Sequence, residues 1–157
     1  MKIEHQLRAL HEGLVSHGMT VGPVFATMPE LVLKHGQPFT RHEIAGGRWR
    51  NEMRACYGNS FDAARTGQYI YVEGYAVGRV GWLPQHHAWV TDPKNTTVAY
   101  DPTWTEGAEY FGVMFRLEYI VSAFKKYGHP GVIDAWEHGW PLLSGVDRIE
   151  DAVWTPD

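Results

Sequence analysis

The sequence is poor in the features that most quickly assign a function. It holds one cysteine in 157 residues, so no disulfide can form within the chain, and this fits a reducing compartment. No apolar run approaches the roughly 18 residues that a membrane-spanning helix requires. The start, Met1-Lys2-Ile3-Glu4-His5-Gln6, is charged and amphipathic, unlike a secretory signal. A basic surplus is also missing: net charge is −4, which argues against a nucleic-acid binder and against a polybasic membrane patch. There is no Gly-rich phosphate loop followed by Lys-Ser/Thr, no Gly-x-Ser-x-Gly, no Cys-x-x-Cys and no His-x-x-x-His. The expectation is a cytoplasmic protein (host cytoplasm if viral) that uses no cofactor and acts on a small-molecule, peptide or protein substrate.

Aromatic residues are abundant, with seven Trp and eight Tyr. They serve cores and substrate clefts alike. The length suits one domain over residues 1–157, with a catalytic core at about 50–115.

Hydrophobic periodicity organises the chain. Ile3, Leu7, Leu10 and Leu14 form one stripe of a helix over residues 2–17. Thr27-Met28-Pro29-Glu30 reads as a capping box opening a helix to about Lys34, stopped by Gly36. Residues 36–49, with Gly and Pro, read as loop. Cys56 falls at or just before the start of a helix that Gly67 ends. Tyr69 to Val77, His87 to Thr91 and Thr96 to Tyr100 are rich in β-branched and aromatic residues and read as strands. Asp92-Pro93-Lys94-Asn95 makes the last two a hairpin. Tyr110 to Phe115 adds a strand, Leu117 to about Gly128 a helix, and Val132 to Trp136 a short helix. Helices followed by an antiparallel meander and another helix indicate an α+β fold.

Within this order lies a set of residues with joint chemistry. A thiol nucleophile needs a base, a group to orient the base, and a field that favours thiolate. Cys56 stands at a helix N-terminus, where the dipole favours an anion. His87 begins one strand of the hairpin and Asp101 ends the other. A turn centred near residues 93–95 puts 87 and 101 opposite each other, with side chains on one face. A carboxylate there can hold one imidazole nitrogen and leave the other for the thiol.

Cys56, then His87-Ala88-Trp89, then Asp101-Pro102-Thr103-Trp104 resemble the transglutaminase-like superfamily of papain-fold cysteine enzymes over roughly residues 50–115. Cys56-Tyr57-Gly58-Asn59 with Tyr71-Val72-Glu73-Gly74-Tyr75 also resembles small uncharacterised proteins of bacteria and phages. The resemblance implies a helix packed on an antiparallel sheet, Cys56 attacking a carbonyl, His87 moving protons and Asp101 orienting His87. The Gly-Gln-Cys-Trp context of well-known transglutaminases is absent, the local run being Arg54-Ala55-Cys56-Tyr57, so the resemblance does not extend to protein crosslinking.

Around this triad the sequence offers further candidates: Asn51 as an oxyanion donor beside the backbone N–H of Cys56, Tyr57 as a substrate contact, Glu73 as a substrate contact or a solvated side chain, His86 as an exposed residue or a substrate contact, Trp89 beside the site or in the core, and Trp104 as packing beneath the triad or a substrate contact. His86 competes with His87 as the base, but alternation lets only one face the thiol. Three function classes follow. The leading one is a cysteine hydrolase or acyltransferase acting on an amide or peptide carbonyl. The second is a binding or inhibitor module, phage-encoded in one version, that makes no use of the triad. The weakest is a zinc protein, since the adjacent His86 and His87 diverge on a strand.

Overall fold

The structure, a computed structural model, describes residues 2–44, 55–78 and 83–156. Two helices come first: α1 (Lys2–Ser16) and α2 (Met28–His35). Only Ile3 and Leu7 of the α1 stripe are buried; Leu10 faces solvent. Thr27 caps α2, its Oγ1 accepting from the Glu30 N–H at 3.2 Å. Glu30 reaches back to the N–H of Ala26 rather than that of Thr27.

The next element departs from the sequence reading. Residues 36–49 were expected to be loop, yet Gln37–His42 form strand β1. It is polar and contains Pro38, so it lacks a strand signature; its partners supply the reason it is extended. The first three residues pair antiparallel with β5 (Gly107–Phe115), and Thr40 to His42 pair parallel with β4 (Asn95–Tyr100). With β2 (Ile70–Gly78) and β3 (Gln85–Asp92) the strands close a barrel in the order β1-β4-β3-β2-β5. The fold is therefore α+β as expected, but the sheet is a mixed, closed barrel rather than an antiparallel meander.

Alternation divides the side chains into two cores. Phe39, Val72, Ala76, Trp89, Ala99 and Tyr110 fill the barrel, as side chains do in small barrels. Gly112 makes room for the largest of them: a Cβ there would lie 2.6 Å from Cη2 of Trp89. The outward residues, among them Tyr71, Tyr75, Val90, Phe111 and Val113, pack against the helices. These include α3 (Cys56–Ala64), α4 (Leu117–Tyr127) and the short α5 (Pro141–Ser144) and α6 (Ile149–Ala152). Gly128 ends α4 with φ of 75°, a left-handed conformation that glycine adopts without strain. The helix expected over Val132 to Trp136 is absent. That segment is irregular up to a 3-10 turn at Trp136–His138, because the N–H groups of 132–134 bond to a buried carboxylate instead of to one another. Among the described residues no helix is long and apolar enough to cross a membrane.

Candidate active site

The hairpin register differs from the expected one. Val90 pairs with Tyr100, where a direct 87-to-101 pairing would put residue 98, and an irregularity precedes Asp92↔Asn95. The displacement is two residues, an even number, so Asp101 still emerges on the face that carries His87. It meets His87 diagonally: Nε2 lies 2.7 Å from Asp101 Oδ2.

Asp101 is held from four directions. Oδ1 accepts from the N–H groups of Thr103 and Trp104, both at 2.8 Å. Oδ2 accepts from the Tyr110 hydroxyl at 2.8 Å as well as from His87. These bonds use the acceptor capacity of the carboxylate and leave it no other orientation. Asn59 of α3 steadies the same turn by donating to Thr103 Oγ1 at 2.9 Å. Trp104 stacks on the imidazole with ring centroids 4.4 Å apart.

Cys56 is the first residue of α3, as the sequence suggested, and α3 packs on β3. Its side chain neighbours the His87 ring and helps to raise the pKa of that ring. Because Asp101 occupies Nε2, Nδ1 is the nitrogen left for sulfur. Burial pulls the His87 pKa down. The hydrogen bond to Asp101 and its charge, with the neighbouring Cys56, outweigh it and raise the value to about 9. Among the described residues no side chain caps the start of α3. The first-turn N–H groups of a helix have no intrahelical acceptor, an arrangement suited to a thiolate or an oxyanion.

His86 points the other way, on the outer barrel face. Expected to be exposed or to touch substrate, it has a side chain only 11% exposed. Its Nδ1 lies 2.7 Å from the Tyr57 hydroxyl, which is also 3.3 Å from Asp134 Oδ2. Burial, with the neighbouring His87, depresses its pKa to about 3, so this ring is neutral.

Glu73 is fully buried and does not meet solvent, contrary to a role as an exposed substrate contact. Its carboxylate accepts from the N–H groups of Val132, Ile133 and Asp134 at 2.7, 2.8 and 3.0 Å, and from the Tyr71 hydroxyl at 3.2 Å. Burial raises its pKa to about 7 against the lowering effect of those backbone bonds. Trp89, expected beside the site or in the core, is buried inside the barrel with its ring stacked 6.4 Å from that of His87. Asn51 lies outside the described residues. The Tyr57 ring lines a recess of about 160 Å³ that Asp134, Trp136 and His129 complete.

The structure therefore gathers Cys56, His87, Asp101 and Trp104, and sends Glu73, His86 and Tyr57 to a separate network on the other side of β3. Sequence reasoning missed Tyr110. That residue begins one of the expected strands, but its place beside Asp101 depends on barrel closure through the unread β1. Among the described residues no group of three or more His, Cys, Asp or Glu is placed to hold a metal ion. Comparison of the chain with family models, with curated proteins and with solved structures gave no match.

Proposed function

We propose that this protein is a cysteine-nucleophile hydrolase or acyltransferase acting on an amide or peptide carbonyl. One observation carries the reading: a fixed carboxylate holds His87 at 2.7 Å, and the ring neighbours the only thiol of the chain, which stands at the start of a helix. The order Cys56, His87, Asp101, with its resemblance to transglutaminase-like enzymes, supports it.

In this reading His87 takes the Cys56 proton at Nδ1, and the thiolate attacks the carbonyl carbon to form a C–S bond. Negative charge moves to the carbonyl oxygen, facing the first-turn N–H groups of α3. The imidazolium returns the proton to the leaving nitrogen as the C–N bond breaks. Water, or an acceptor amine or alcohol, then gives a proton to His87, attacks the thioester and restores the thiol. Asp101 holds the ring so that Nδ1 always faces sulfur, and it stabilises the imidazolium.

The test is the rate of iodoacetamide alkylation against pH, in the parent and in His87→Ala. With a single thiol the signal has one source. An ordinary cysteine titrates near 8.5. Rapid reaction well below that, lost in His87→Ala, supports the reading. Ordinary pH dependence in both proteins defeats it. A second reading, a binding module on the same fold, draws on the burial of Cys56, which is only 9% exposed. A thiol inert to alkylation in the native protein favours that one.

A further inference from the structure

We propose that Tyr110 and Arg41 are positioning residues for His87. The Tyr110 hydroxyl shares Asp101 Oδ2 with the imidazole, and Arg41 stands diagonally beside Tyr110 on the neighbouring strand, so the pair fixes the carboxylate and limits how much of its charge reaches the ring. The inference rests on the reading of His87 as the base.

Four strands bring these groups to one end of the barrel. His87 stands near the start of β3, Asp101 just past the end of the antiparallel β4, and Arg41 near the end of β1, which runs parallel to β4. Phe39 pairs with Tyr110 across β1 and β5 and shares the barrel interior with it, so Arg41, two residues on, is its diagonal neighbour. Tyr110 donates to Asp101 at 2.8 Å, and the positive charge of Arg41 acts on the hydroxyl from the neighbouring strand. Burial, then the charge of and the bond to Asp101, holds the hydroxyl proton far more tightly than in an ordinary tyrosine, against the opposing pull of Arg41. It therefore remains a donor. Gly107 is part of the arrangement: a Cβ there would collide with the Tyr110 hydroxyl.

Arg41 is partly buried. Among the described residues no carboxylate pairs with it and its buried Nε has no hydrogen-bond partner. An unmet buried donor costs stability. Its position is explained by what the guanidinium does at Tyr110. A donor that engages a carboxylate weakens that carboxylate as a partner for a second donor, and a cation behind the first donor strengthens the effect. Removing either group should then make His87 a stronger base. The titratable or charged groups around His87 are Cys56 from α3, Asp101 beyond β4, Tyr110 from β5 and His86 beside it on β3, with Arg41 of β1 behind Tyr110.

The experiment follows the His87 imidazole by proton NMR from pH 5 to 10.5 in the parent, Tyr110→Phe, Arg41→Gln and Arg41→Lys, with His87→Asn to assign the signal. The expected result is an upward movement of the midpoint by roughly half to one pH unit in Tyr110→Phe and Arg41→Gln. Arg41→Lys, which keeps the charge, should stay near the parent. A midpoint that is unchanged or lower in folded Tyr110→Phe overturns the proposal. If Tyr110→Phe does not fold, the two Arg41 variants decide alone, and equal midpoints in Gln and Lys overturn it. The readout is the ring itself, so it holds whether or not Cys56 proves activated. Failure of the thiol reading is seen separately, in the alkylation profile.

Discussion

Asp101→Asn isolates the charge that holds His87. The amide oxygen can still accept from the N–H groups of Thr103 and Trp104, but its Nδ2 then faces His87 Nε2, a donor against a donor. The ring must either lose that bond or change tautomer, and the second choice puts a proton on Nδ1, where the thiol requires an acceptor. The energetic cost follows from the raised pKa. The difference between about 9 in the fold and the ordinary 6.5 is 2.5 pH units, or roughly 3 kcal/mol at 1.36 kcal/mol per unit, shared between Asp101 and Cys56. Because the folded value is raised, this stability is fully present below pH 6.5 and is lost as pH rises through about 9. Urea unfolding of parent and Asp101→Asn at pH 6, 7.5 and 10 should therefore give a difference that is largest at pH 6, on the order of 2–3 kcal/mol above its value at pH 10. A difference that stays constant across that range would show that His87 carries no paired charge in the fold, and the electrostatic argument would be wrong.

Other expectations are independent of the triad. Glu73→Gln replaces one acceptor oxygen by an amide that must face a backbone N–H of the 132–134 segment whichever way it turns, and should cost about 2–4 kcal/mol of unfolding free energy. A loss below about 0.5 kcal/mol, against the cost of an unmet buried donor, would mean that the carboxylate does not anchor that segment. Gly112→Ala should destabilise by roughly 1–3 kcal/mol, since Trp89 fills the barrel and has nowhere to retreat; a neutral result in thermal unfolding would contradict the packing described. Thr27→Ala should cost about 1 kcal/mol through loss of the α2 cap, measured by the same unfolding assay, and an unchanged melting temperature would deny the cap its role.

Local chemistry made much of this protein legible in its sequence. The α1 stripe, the Thr27 cap and the Asp92-to-Asn95 turn act over a few residues, so their patterns could be read directly. Cys56 at a helix start and His87 with Asp101 on one hairpin are also local enough to be inferred. The even-numbered register error left the shared face intact, which is why the pair survived an inaccurate alignment. Tertiary structure decided what depends on distant partners. β1 is a strand because β4 and β5 offer it ladders on both sides, and nothing in Gln37-Pro38-Phe39-Thr40 announces that. Glu73 is buried because three N–H groups about 60 residues away come to meet it. Closure of the barrel buried Trp89 in its interior and carried Tyr110 to Asp101. Periodicity and turn residues specify how a segment behaves, whereas the environment of a buried polar group is set by whichever segments the closed sheet brings to it.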